Sequence, residues 1–220
     1  MDKTPPKYYL ESASLLGWGE NSILDKERLR LIDLFIKDGN ILDIGCGFGH
    51  YVDYIASKGL PATGVDFVPE FINQAKKSKK GSFVRAPIEK LPFAENAFDT
   101  SILFDVLEHG DDGKILIEAK RVTKKRFLVI VPRKIDSVLE KSGVVFRHYL
   151  DKSHKREYEE KDLERLGKIT SLKLVCIKKI HPLYNGTVFL ALFKGPSFFK
   201  KLIKKDRKKS MKLDKEKKKL

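Results

Sequence analysis

Asn40-Ile41-Leu42-Asp43-Ile44-Gly45-Cys46-Gly47-Phe48-Gly49 runs from an apolar stretch through one acidic residue into three glycines at alternate positions. Asn40–Ile44 has the length and content of a short buried strand. His50–Ser57, stopped by Lys58-Gly59, reads as the helix that follows. Glycines between the two let a ligand lie against bare backbone, because no Cβ stands in its way. The spacing separates ligand classes. Gly-x-Gly-x-x-Gly seats a dinucleotide pyrophosphate, whereas here the third glycine comes one residue early and Asp43 precedes the loop.

Working outward, strand and helix patterns alternate. Helix is expected from Ile23 to Ile36, ending at Asp38-Gly39-Asn40. Ala62–Val65 is a second strand closing on Asp66, and Pro69 opens a helix to about Lys80. Further strands are expected at Ser82–Ala86, Phe98–Phe104 and Phe127–Val131, with a helix from about Gly113 to Val122 before the last of these. Glu159–Leu166 reads as helix, and Lys134–His154 as irregular. Leu172–Ile180 and Thr187–Phe193 read as an antiparallel strand pair around Asn185-Gly186. The fold class is therefore α/β, a Rossmann-like, doubly wound, seven-stranded and mostly parallel sheet with an antiparallel pair at its C-terminal end.

Three regions follow: a turn-rich segment 1–22, a central domain 23–194, and a tail 195–220. Tyr8, Tyr9 and Trp18 in the first region suit either a lid over the site or packing against the sheet. The tail carries most of the chain's positive charge. Thirteen Lys or Arg and three Asp or Glu fall between Lys194 and Leu220, a surplus of ten out of a net charge of +15. Phe198, Phe199, Leu202 and Ile203 recur there at helical spacing among lysines. Such a segment suits an anionic membrane surface, RNA phosphates or plain solvation.

Cys46 and Cys176 give neither a disulfide framework nor a zinc-ligand spacing. With no signal segment and no membrane-spanning apolar run, a reducing cytoplasmic setting is expected, with a peripheral membrane contact open to the tail. No metal is expected, because no His, Cys and carboxylate cluster shows ligand spacing.

Four stretches carry a resemblance: ILDIGCGFG from Ile41, TGVDFVPEFINQA from Thr63, IEKLPFAENAFD from Ile88 and VLEHGDD from Val106. Over Asn40 to Phe193 the chain resembles class I S-adenosylmethionine-dependent methyltransferases, close to the small-molecule branch that includes the ubiquinone and menaquinone biosynthesis enzymes. The resemblance implies S-adenosyl-L-methionine as cofactor. It places Asp43, Gly45, Cys46, Gly47 and Gly49 at the methionine end and Asp66 on the ribose hydroxyls. It also places Phe67 on the adenine and Phe104 beside the methionine part. Many relatives carry an Asp at the position of Pro87 to hold the adenine amino group. Its loss here would pass that role to backbone near Ala86 and Ile88, or to Glu89.

An oxygen acceptor needs a base near its proton, and His titrates near working pH. His109 follows the fourth strand, where it reads as either catalytic or structural. His154 lies in Asp151-Lys152-Ser153-His154, an Asp-x-x-His pattern that resembles a stretch in methyltransferases acting on sugars and glycolipids. It reads as base, acceptor-positioning group or helix-entry hydrogen bond. His148 shares this segment, and Asp105 and Asp151 are back-up bases or His-orienting groups. The expected function is methyl transfer, at oxygen with a His base, to a small metabolite, sugar or lipid-linked acceptor. An RNA methyltransferase using the basic tail and a non-catalytic relative are the alternatives.

Overall fold

The computed structural model describes residues 5–16, 19, 24–134, 150–180 and 188–195. The expected Asn185-Gly186 turn, Trp18, His148 and the amphipathic tail lie outside the described residues.

Seven strands form one sheet in the order β3-β2-β1-β4-β5-β7-β6. These are β1 (Ile41–Ile44), β2 (Ala62–Asp66), β3 (Ser82–Arg85), β4 (Phe98–Phe104), β5 (Thr123–Pro132), β6 (Lys173–Ile180) and β7 (Val188–Lys194). β1 pairs in parallel with β2 and β4, β2 with β3, and β4 with β5. β7 runs antiparallel to both β5 and β6. The chain leaves β1 toward β2 on one side and later returns to β4 on the other. The crevice at the carboxyl end of β1 is therefore the topological switch point where such sheets bind ligands.

Among the described residues six α-helices flank the sheet: α1 (Pro6–Leu16), α2 (Lys26–Phe35), α3 (His50–Ser57), α4 (Pro69–Ser78), α5 (Asp112–Val122) and α6 (Glu160–Thr170). Their starts follow local chemistry. Asp25 accepts from the Arg28 amide, Asp111 accepts from the Lys114 amide, Pro69 sits in the first turn of α4, and Glu159 and Asp162 form a capping box on α6. Alternation along the central strands sorts side chains between two layers. Ile41, Ile102, Leu128 and Ile130 pack with Leu31, Ile32, Val52, Ile55 and Ile72 of α2, α3 and α4. Leu42, Leu103, Phe127 and Val129 pack with Ile115, Leu116, Leu163 and Leu166 of α5 and α6.

Three expectations need correction. The segment read as turn-rich holds α1, whose buried Tyr9 and Ala13 pack against Val68 and Phe71. β5 begins at Thr123, four residues before the apolar run, because the polar start pairs with Phe98 and Thr100 of β4. Ser101 and Thr123 also share a buried hydroxyl hydrogen bond of 2.6 Å. α6 runs on to Thr170, through Gly167, whose missing Cβ admits the Leu172 carbonyl at 3.1 Å from where that Cβ would stand.

Candidate active site

The turn after β1 is pinned before any ligand is considered. The amides of Gly45 and Cys46 both donate to the Val65 carbonyl, at 2.8 and 3.0 Å. Asp66 closes the turn from the neighbouring strand. Its two carboxylate oxygens accept from the amides of Gly47 (3.0 Å) and Val68 (2.9 Å). Gly45 has φ 74°, and a Cβ on it would stand 2.6 Å from Val106 Cγ2. Gly49 has φ 76°, and a Cβ on it would collide with the Phe83 ring. Only glycine fits either position. A Cβ on Gly47 would meet nothing within 4 Å, so the loop's open side is there. Cys46 is buried and packs against Gly64, and burial pushes its thiol well above the usual value. It is a small filler, not a nucleophile.

Two carboxyls stand at this turn. Burial, with the charge of Asp66 added, pushes Asp43 up to about 8. Burial pushes Asp66 up to about 6, against the pull of its backbone donors. Asp43 Oδ2 is buried without a hydrogen-bond partner among the described residues. A bare loop edge at Gly47 beside an acid with an unused acceptor is what an amino-acid-bearing, hydroxyl-rich ligand requires. The residues present therefore fit S-adenosylmethionine.

The adenine side is less complete. Ala86 is buried and donates its amide to the Asp66 carbonyl at 3.0 Å, which commits that donor to the fold. Pro87 is exposed, Ile88 is partly buried against the core, and Glu89 reaches toward Gly110. Phe67 is partly buried, with its ring edge-on to Tyr9 at 5.4 Å. Phe104 turns into the layer of α2 and α3, edge-on to Tyr51 at 5.2 Å with the Arg28 guanidinium 5.9 Å from its ring centre. Its ring serves packing, which puts the next residue, Asp105, at φ 55° and 2.6 Å from Arg28.

Beyond β4 a 3-10 turn, Leu107–His109, meets the segment Leu150–Tyr158. The Lys155 amide donates to the Glu108 carbonyl (2.9 Å), and Arg156 donates to the Gly110 carbonyl (3.0 Å) and pairs with Asp112 (2.8 Å). These contacts bring His109 and His154 together, ring centres 4.8 Å apart and edge-on. His154 Nε2 lies 3.9 Å from both Glu108 Oε1 and Asp151 Oδ2. Burial holds the His154 imidazole below its ordinary value.

Asp151 is buried. Burial raises its carboxyl, but donors from Ser153 and Tyr8 and the nearby His154 outweigh that and hold it below the usual range. It is thus ionised and only accepts. Ser153 Oγ gives its proton to Asp151 Oδ1 at 2.6 Å, so it accepts from His109 Nδ1 at 2.9 Å. The Nδ1 proton leaves a lone pair on Nε2 in neutral His109.

Glu108 is fully buried, and neither of its carboxylate oxygens has a hydrogen-bond partner among the described residues. Burial and the charge of Asp105 raise it well above its usual value. Sequence reasoning passed over Glu108, Ser153 and Arg28. Glu108 stands beside His109 and Ser153 beside His154, so adjacency was the available signal. Arg28 sits in an ordinary amphipathic helix and gave none. The fold brings His154 into one group with the adjacent Glu108 and His109, a juxtaposition that sequence spacing does not display.

Residues 42–131, which span the glycine loop, Asp66, Glu108 and His109, match the family model described as a methyltransferase domain. This segment is a methyltransferase domain. An uncharacterised protein of Methanocaldococcus jannaschii is 30% identical over 63% of this chain and 61% of its own. The malonyl-[acyl-carrier protein] O-methyltransferase of Hamiltonella defensa is 30% identical over 43% of this chain and 38% of its own. The chain thus spans about three fifths of the length of the first of these relatives and less of the second. The 1,6-didemethyltoxoflavin-N1-methyltransferase of Burkholderia thailandensis shares the fold at TM-score 0.62. It is 18% identical, with 87% of this chain and 91% of that one covered. The methyltransferase domain's switch-point crevice is therefore bounded by the glycine loop on β1, Asp66 on β2 and the paired histidines beyond β4.

Proposed function

We propose that this chain moves the methyl group of S-adenosylmethionine to a hydroxyl oxygen of a small metabolite, sugar or lipid-linked acceptor, with His154 as base. The observation that carries this is the pairing of His154 with His109 just beyond β4, three residues after the Val106 that packs on Gly45.

In this reading Asp43, Gly45, Cys46, Gly47 and Gly49 form the wall against the methionine end. Asp66 takes the ribose hydroxyls on its remaining lone pairs. Phe67 and Ile88, with Ala86 and Pro87 around them, shape the adenine pocket, and the Phe104 backbone borders the methyl-donor end. The donor is a sulfonium, which releases its methyl while sulfur keeps the bonding pair. His154, kept neutral by burial, takes the acceptor hydroxyl proton while the oxygen pair forms the new C–O bond. His109, oriented by Ser153 and Asp151, holds the acceptor, and α1 shields the site from water through Tyr9, which touches both Phe67 and His109.

The O-methyltransferase named among the relatives supports oxygen as the acceptor atom, and the toxoflavin-precursor enzyme supports a small-molecule acceptor. Residues 23–194 would form the catalytic domain. Residues 195–220 would supply a peripheral anionic contact in a cytoplasmic setting, and among the described residues no helix is long and apolar enough to cross a membrane.

The test is methyl transfer from labelled donor to a panel of hydroxyl-bearing metabolites, sugars and lipid-linked sugars. His154→Gln is expected to lower kcat by about 100- to 10,000-fold with donor affinity kept. Unchanged kcat in that variant would remove His154 as base.

A further inference from the structure

A buried carboxylate with both oxygens unpaired is costly, and folded proteins rarely keep one without a use. Among the described residues neither oxygen of Glu108 has a hydrogen-bond partner, its nearest base being His154 Nε2 at 3.9 Å, and Glu108 does not stand alone. One carboxylate oxygen of Glu108 and one ring nitrogen each of His109 and His154 all lie within 4.8 Å of one another. Glu108 is fully buried and the two imidazoles are partly buried, so water competes weakly for the place between them.

Two imidazole nitrogens and one carboxylate oxygen are the donor set of three-ligand sites for divalent transition metals, which keep further positions for water or substrate. Ligands about 2.1 Å from a tetrahedral ion stand about 3.4 Å apart. Binding an ion therefore requires the trio to close by up to about 1.4 Å, the difference between 4.8 Å and 3.4 Å. The surroundings match as well. A ligating imidazole ordinarily gives its other N–H to an acceptor that fixes the ring, as His109 does through Ser153 to Asp151. Asp105 is neutralised by Arg28 at 2.6 Å, so the carboxylates left facing the group are Glu108 and Asp151.

We propose that Glu108, His109 and His154 bind one divalent transition-metal ion, with open coordination positions left for an oxygen ligand. That this oxygen is the acceptor hydroxyl rests on the methyl-transfer reading above. With the ion bound, His154 is a ligand instead of a base. The ion's charge then lowers the pKa of a hydroxyl it touches, and the released proton passes to water. The methyl–sulfur bond still breaks toward sulfur, and the oxygen pair still forms the new C–O bond.

The experiment uses the full, tag-free chain, stripped with chelator and dialysed, with neither donor nor acceptor present. Co2+ is titrated by visible absorption and Zn2+ by calorimetry. One equivalent per chain is expected, with affinity reduced about 100-fold or more in Glu108→Gln and in His154→Gln. Cys176→Ser, an exposed thiol on β6 outside the group, is expected to change nothing. Circular dichroism of each variant checks that it is folded. No saturable equivalent in the parent chain, or an affinity unchanged in folded Glu108→Gln, overturns the proposal. The two readings fail separately. Metal bound without methyl transfer on any acceptor leaves this site standing, and chelator-resistant transfer with no metal bound leaves only the base reading.

Discussion

Tyr8 gives its hydroxyl proton to Asp151 Oδ1 at 2.9 Å, joining α1 to a residue 143 positions downstream. The same hydroxyl oxygen accepts from the Lys152 amide at 2.8 Å. One phenol thus holds the first helix to the turn that carries Ser153 and His154. Tyr8→Phe is expected to cost about 1–3 kcal/mol of stability, as a lost hydrogen bond to an ionised acceptor does. Denaturant unfolding would show this as a lower midpoint, and an unchanged midpoint would mean that α1 docks by its apolar contacts alone.

Two glycines of the β1 loop should respond in opposite ways. Gly45→Ala drives a methyl into Val106 and strains a left-handed φ, so destabilisation of about 1–3 kcal/mol is expected. Val106→Ala in the same chain should recover the part due to the clash. Gly47→Ala meets no protein atom, so its cost should be about 1 kcal/mol, from backbone strain alone. It should nonetheless reduce donor affinity strongly, because the added methyl points to the loop's open side. Thermal unfolding together with donor titration of the three variants checks this. Gly47→Ala with full donor affinity would place the cofactor elsewhere.

How far these features could be read from the sequence varied with how local their cause is. His50–Ser57 and Phe98–Phe104 came out with their observed bounds, since each is an apolar segment between clear breakers. α1 did not, because Pro6–Leu16 leaves Leu15 exposed and owes its docking to Val68, Phe71 and Asp151, all distant in sequence. Thr123-Lys124-Lys125-Arg126 looks like the end of a helix and becomes strand only because β4 lies alongside. The glycine loop was legible because its chemistry sits in ten consecutive residues. The group of Glu108, His109 and His154 was not, because Glu108 in Val106-Leu107-Glu108-His109 reads as a surface acid until Leu150–Tyr158 covers it.

Asp43 gives the apoprotein a pH dependence whose sign is fixed. Its folded-state value near 8 lies above the ordinary 3.8, so folding favours the protonated form. Its contribution is complete below about 4 and is lost as pH rises through about 8. Asp66, near 6, adds the same sign at lower pH. The melting temperature of the donor-free protein should therefore fall between pH 6.5 and 9, and Asp43→Asn should flatten that fall. His154, held low by burial, titrates below this window and does not confuse the comparison. Parallel profiles for the parent chain and Asp43→Asn would show that Asp43 is ionised in the folded protein.

The central claim is that the β1 loop and Asp66 hold S-adenosylmethionine, and calorimetric titration of the full chain with S-adenosylmethionine and S-adenosylhomocysteine tests it most directly. The account predicts one site of micromolar affinity for each, weakened about 100-fold or more in Asp66→Ala, which loses the proposed acceptor for the ribose hydroxyls and the prop under Gly47. Absence of binding by the folded parent chain, or equal binding by Asp66→Ala, would contradict it.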